Sequence, residues 1–233
     1  LILNYKKHFF MKHIASLLIL LSFVTTVTAQ SLKQWRDSLD RVNKELKIFP
    51  SSTKLLLSKA AVNLQLLEWK DAIDACGQVL EKDGNNLAAL YYRAYANNNL
   101  RRYDLAKNDY EKFLSLSPDN AAARLGLAYT YIKLERPNDA LDQLNNLIEI
   151  YPDYAVAYAT RAELEKDLKM YDTALFDFDE ALKRDPGNKD YTVSKVEILI
   201  LQGRREDAKN ALDTAVSHGV PRGLLLEWYA KCK

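Results

Sequence analysis

The stretch YDLAKNDYEKFLSLSPDN, Tyr103 to Asn120, decides the fold. A second stretch, YDTALFDFDEALKRDPGN, covers Tyr171 to Asn188. Both open Tyr-Asp, carry Ala at the fourth place, and end Pro-x-Asn. Their starts are 68 residues apart, so a unit of 34 residues fits between them twice. Stepping by that unit aligns Pro50, Gly84, Pro118, Pro152 and Pro186, all residues that end helices. A second phase reads Ser38, Ala72, Ala106, Ala140, Ala174, Ala208. A third reads Ala60, Ala94, Ala128, Ala162, Val196, and a fourth Trp35, Trp69, Tyr103, Pro137, Tyr171, Arg205.

Each column has a physical reason. Helices approach to ~8–10 Å only where small side chains meet, and the two Ala columns supply them on both helices of a hairpin. The aromatic column opens each second helix and can wedge the hairpin against its neighbour. Pro137 breaks that column but falls at a helix start, where proline is tolerated.

A period of 34 residues with these columns resembles the tetratricopeptide repeat, a helix–turn–helix unit. The resemblance implies an all-α, right-handed solenoid of helix hairpins. Repeats are placed at 53–86, 87–120, 121–154 and 155–188, with a degenerate fifth at 189–222. Residues 30–52 read as a lone N-terminal helix matching the second half of a repeat, and 223–233 as a C-terminal capping helix. Such ends shield the last hydrophobic faces of a solenoid.

The first 29 residues differ. Met11-Lys12-His13 precedes an apolar run of about a dozen residues and a small-residue end at Val27-Thr28-Ala29. This pattern predicts a cleaved signal peptide, a chain beginning at Gln30, and a periplasmic or secreted location. Residues 1–10 read as upstream residues. An uncleaved anchor is the competing reading; the run is shorter than the ~20 residues a membrane span needs. Without residues 1–29, Lys+Arg falls from 33 to 30 against 31 Asp+Glu, a net of −1. A near-neutral domain argues against nucleic acid as the partner.

Little catalytic chemistry is legible. After the leader there is one histidine, His218, in the loop HGVPRG, and two cysteines, Cys76 and Cys232. No phosphate-binding glycine loop occurs. No metal site or cofactor is expected, and no enzyme activity. Cys76 reads as a buried packing thiol. Arg93 and Arg161 share one phase, and Asp109 and Asp177 another sixteen residues on, which predicts an ion pair between the helices of repeats two and four.

The resemblance places function on a concave face lined by first-helix residues. The phases it implies give Tyr91, Tyr95, Asn98 and Asn99 in repeat two. Repeat three contributes Leu125, Tyr129, Ile132 and Lys133, and repeat four Glu163, Lys166 and Asp167. Tyr91, Tyr95, Asn98, Asn99, Tyr129 and Lys133 are the candidate site for a peptide segment or partner protein. Tyrosine offers a flat apolar body with a polar tip, and asparagine both a donor and an acceptor for a peptide backbone. The same tyrosines would equally serve as packing between neighbouring first helices. The carboxylate-clamp subtype of the family is not matched, since its positions hold Leu57, Ala61, Tyr92, Ala122 and Gly126. Three functional classes follow: a protein-interaction scaffold in the bacterial envelope, a glycan binder stacking sugars on the tyrosines, and an enzyme with an unrecognised carboxylate site.

Overall fold

The computed structural model describes residues 29–233. The expected export signal therefore lies outside the described residues, apart from Ala29 at the start of the first helix. Among the described residues there are twelve α-helices, one short 3-10 helix and no strand. Helix α1 spans Ala29–Ile48. Five hairpins follow. Their first helices are α2 (Thr53–Gln65), α4 (Leu87–Asn99), α6 (Ala121–Lys133), α8 (Ala155–Asp167) and α10 (Lys189–Leu201). Their second helices are α3 (Trp69–Lys82), α5 (Tyr103–Leu116), α7 (Pro137–Ile150), α9 (Tyr171–Arg184) and α11 (Arg205–Ser217). A 3-10 turn at Arg222–Leu225 leads into α12, Leu226–Lys231. This is an all-α helical-repeat solenoid.

Local chemistry sets the boundaries. Asn86, Asn120 and Asn188 share one phase and cap α4, α6 and α10, each side-chain oxygen accepting from the N–H three residues on at 3.1, 2.9 and 3.1 Å. Ser52 holds that phase before α2, and Tyr154 before α8 gives no side-chain cap. Every first helix ends in the same turn. Leu67, Arg101, Glu135, Lys169 and Gly203 have φ of 60, 60, 58, 63 and 74°, the left-handed conformation. The next residue's N–H then reaches back to the helix, as in Glu68 to the Asn63 carbonyl at 2.8 Å and Met170 to that of Glu165 at 2.8 Å. This is the Schellman arrangement, which satisfies carbonyls the helix end would leave open. Only the fifth turn uses glycine for it.

The small-residue columns are the hairpin crossings. Ala72, Ala106, Ala140, Ala174 and Ala208 are fully buried, as are Ala60, Ala94, Ala128, Ala162 and Val196. The fifth repeat, expected to be degenerate, forms the same hairpin, with Val196 at 0% exposure in place of alanine.

The contacts divide the chain into two compact units, with the boundary inside α7 at residues 143/144. In the first unit α1 packs on α2, with Leu46 against a core of Leu56, Ala60, Ala75, Cys76, Val79 and Ala89. The phases of Arg41 and Glu45 are buried in full repeats, as Ala75 and Val79 show, yet both are exposed here. With charges there, the face of α1 that lacks a hairpin partner is solvated. Burial pushes the Cys76 thiol up to about 12, so it stays protonated. Arg93 forks onto Asp109 at 2.8 and 2.7 Å.

In the second unit Phe178, Ile198, Leu212 and Leu225 are among the buried core side chains. Leu225, ahead of α12, is fully buried against them, and Tyr229 donates to Asp213 at 2.5 Å, which fastens the C-terminal helix. Arg161 forks onto Asp177 at 2.5 and 2.8 Å and also donates to Asn145 at 2.7 Å. Both predicted ion pairs form. The fifth repeat has Lys195 at the arginine phase and Ala211 at the acid phase, and Lys195 turns instead to Asp179 at 2.5 Å. Cys76 and Cys232 are free thiols, and His218 is an exposed residue closing α11. No described helix is long and apolar enough to cross a membrane.

Candidate functional site

In the first unit, α2, α4 and α6 are the first helices and run in neighbouring pairs. Their phase of residues 61, 95 and 129 is half-buried throughout, so Ala61, Tyr95 and Tyr129 form one partly exposed line. Tyr95 is held by the edge of Trp69, with ring centroids 5.9 Å apart at 72°. Asn99, exposed at the end of α4, donates to the Tyr95 carbonyl at 2.9 Å. Burial raises the pKa of Tyr95, while a hydrogen bond from the Asn99 side chain opposes the shift. Burial pushes the Tyr129 phenol up to about 12, with Tyr103 and Tyr95 adding to the rise and Arg101 opposing it. Tyr95, Tyr103 and Tyr129 thus lie within electrostatic reach of one another. Both hydroxyls remain protonated donors at neutral pH. Lys133 lies over the Tyr129 ring, 5.2 Å from its centroid.

One of the six expected residues serves the interior instead. Asn98 is only 3% exposed. Its amide donates to the Thr130 hydroxyl at 2.9 Å, and Thr130 reaches the Gly126 carbonyl at 2.7 Å. Asn98 therefore clasps α4 to α6, because a buried amide must find its partners inside the protein. The expectation that it lies on the exposed face is corrected. Tyr91 is half-buried and meets the edges of Tyr110 and Phe113 of α5 at centroid distances of 5.9 and 6.0 Å. These ring contacts lie within its own hairpin, and its partial exposure matches that of Tyr95. Leu125, also placed on the groove, is buried at 5%. Tyr95, Asn99, Tyr129 and Lys133 are brought together at the surface.

Trp69 and Tyr103, which the aromatic column places as wedges of their hairpins, also adjoin this surface: Trp69 meets the Tyr95 ring and Tyr103 lies within electrostatic reach of Tyr129. The signal in the sequence is their position: both open second helices, two residues after the left-handed turn residues Leu67 and Arg101.

The first-helix face of the second unit has a different character. Lys166 bridges Glu163 at 2.7 Å and Glu197 at 3.2 Å, one acid on its own helix and one on α10. Glu163 is buried at 8%, so this trio is an internal brace more than an open surface. Among the described residues no group of three His, Cys, Asp or Glu side chains is placed to hold a metal ion.

The tetratricopeptide-repeat family model matches residues 100–164 and 167–221. Solved structures similar to the chain include the following three. The MamA protein shares 21% identity over 71% of this chain and 90% of its own, with a TM-score of 0.64. YrrB, described as a TPR protein with an unusual peptide-binding site, shares 23% over 80% and 96%, with a TM-score of 0.61. A tetratricopeptide repeat protein from Parabacteroides merdae shares 19% over 92% and 88%, with a TM-score of 0.64. At these identities the likeness concerns the fold. No curated protein matches the chain significantly. The period of 34, the alanine crossings, the repeated Schellman turns and the family match together place this chain in the tetratricopeptide-repeat family.

Proposed function

We propose that the protein is a non-catalytic interaction scaffold of the bacterial envelope, which holds a peptide segment or partner protein against Tyr95, Asn99, Tyr129 and Lys133. The tetratricopeptide fold supports protein–protein interaction as the general role, and YrrB carries a peptide-binding site on a fold of this kind. The observation that carries the reading is the line of half-buried rings on α4 and α6. A ring fixed by Trp69 on one side and open on the other is a pre-organised contact, which loses little entropy on binding. The envelope location rests on the Val27-Thr28-Ala29 end of the N-terminal apolar run. The intact mass of the protein from an envelope fraction tests that part; a form retaining residues 11–29 would replace export by anchoring.

The double variant Tyr95→Ala, Tyr129→Ala tests the surface. Truncating a central aromatic anchor costs ~2 kcal/mol or more of binding where it is a hot spot. Loss of partner capture with an unchanged melting temperature is expected. Retained capture would move the site to another face, and a large fall in melting temperature would make the tyrosines core residues.

A further inference from the structure

We propose that the ligand of this surface is an uncharged, proline-rich segment in the polyproline II conformation; this rests on the peptide-binding reading above and gives it a ligand class. Three observations carry it.

The first is charge. At the groove positions that the family resemblance implies on α2, α4 and α6, the only charges are Lys54 and Lys133, at the two ends. Leu57, Ala61, Leu64, Tyr95, Tyr129 and Ile132 are among the apolar and aromatic members. These positions hold no acid for a basic peptide, and the cation that reaches Tyr129 from outside them is Arg101, in the turn after α4. A neutral segment is the electrostatic complement of such a strip.

The second is spacing. Tyr95 and Tyr129 occupy one phase on adjacent helices, which the bond between Asn98 and Thr130 shows to be in direct contact. Packed helices stand ~8–10 Å apart. A β-strand presents same-side residues every ~6.7 Å and falls out of step with that interval. A polyproline II helix rises ~3.1 Å per residue with three residues per turn, so its equivalent residues recur every ~9 Å. Every third residue of such a segment meets the next tyrosine.

The third is hydrogen bonding. A polyproline II segment makes no internal hydrogen bonds, so its carbonyls are open acceptors. Tyr95 and Tyr129 are half-buried residues with protonated hydroxyls, and the Tyr95 ring is fixed by the edge of Trp69 before the ligand arrives. Proline rings stack on tyrosine faces, and the stiff segment gives up little freedom when it docks.

Panning a displayed library of random dodecapeptides on the full chain, and in parallel on Tyr95→Ala, Tyr129→Ala, tests the assignment. Peptides retained only by the unaltered chain are expected to carry proline at three-residue spacing, and dodecaproline is expected to displace them. The pair Tyr95→Phe, Tyr129→Phe keeps both rings and removes both hydroxyls. Each hydroxyl lost is expected to weaken dodecaproline about fivefold, the worth of one neutral hydrogen bond. Tyrosine-dependent peptides without proline would overturn the ligand class and leave the binding surface standing. If no peptide depends on the tyrosines, in the Ala pair or the Phe pair, both readings fall.

Discussion

Gly126 of α6 lies where a Cβ atom would sit 2.5 Å from Cζ of Tyr110. Tyr110 is itself 1% exposed. The glycine is therefore space for the ring, not a conformational hinge, and its phase carries no such demand in the other repeats. Gly126→Ala is expected to destabilise the protein by ~1–3 kcal/mol through overpacking. Tyr110→Leu should recover part of that loss in the double variant. Thermal or urea melts of the three variants check this, and an Ala variant as stable as the parent would reject the close approach.

The hairpin turns offer a gain. Lys169 is exposed and holds φ at 63°, where Gly203 at the same phase holds 74°. A side chain in that region costs energy that glycine avoids. Lys169→Gly is expected to stabilise by about 1 kcal/mol, with Gly203→Ala costing a similar amount. The sign is read from the urea midpoint at constant m-value.

The Arg161–Asp177 pair is the most enclosed of the two repeated ion pairs, with side-chain exposures of 19% and 2%. Asp177→Ala strands the guanidinium beside Asn145 and is expected to cost ~3 kcal/mol or more. Arg161→Met combined with Asp177→Leu should cost distinctly less than either single change, because no charge is then left unpaired. Equal costs for the single and double variants would place the energy in packing.

Glu165 carries a pH dependence. It is buried at 7%, and its Oε2 atom has no hydrogen-bond partner. Burial raises its pKa, Asp177 adds to the rise, and Arg161 and the Thr173 hydroxyl oppose it. The folded protein thus holds this proton more tightly than the unfolded chain. The penalty is absent below the ordinary glutamate value, grows as pH rises towards the folded value, and is full above it. Glu165→Gln is expected to stabilise the protein at about pH 7 and to change it little at about pH 4, in the ordinary carboxylate range. A gain of the same size at both values would show that charge is not the cause.

The sequence by itself determined the repeat. The helix boundaries, the asparagine caps, the alanine crossings and the two Arg–Asp pairs all recur at a fixed step, and each depends on groups within one or two neighbouring helices. Those interactions are local, so a periodic sequence displays them directly. The tertiary structure decided which face of a given position meets solvent. Asn98 and Asn99 are adjacent and equally polar, yet one is buried against Thr130 and the other is exposed. Tyr91 and Tyr95 lie one turn apart on α4 and are both half-buried, yet Tyr91 meets the rings of Tyr110 and Phe113 on α5 while Tyr95 meets the edge of Trp69 on α3. Four left-handed turns carry Leu67, Arg101, Glu135 and Lys169, a conformation most often taken by glycine. In each case the outcome is fixed by what the neighbouring elements offer: a hydroxyl at bonding distance for Asn98, the rings of Tyr110 and Phe113 for Tyr91, or a turn whose backbone bonds hold a side chain at positive φ. Period reports that helices stack, and only the packed neighbours report which side chains remain for a partner.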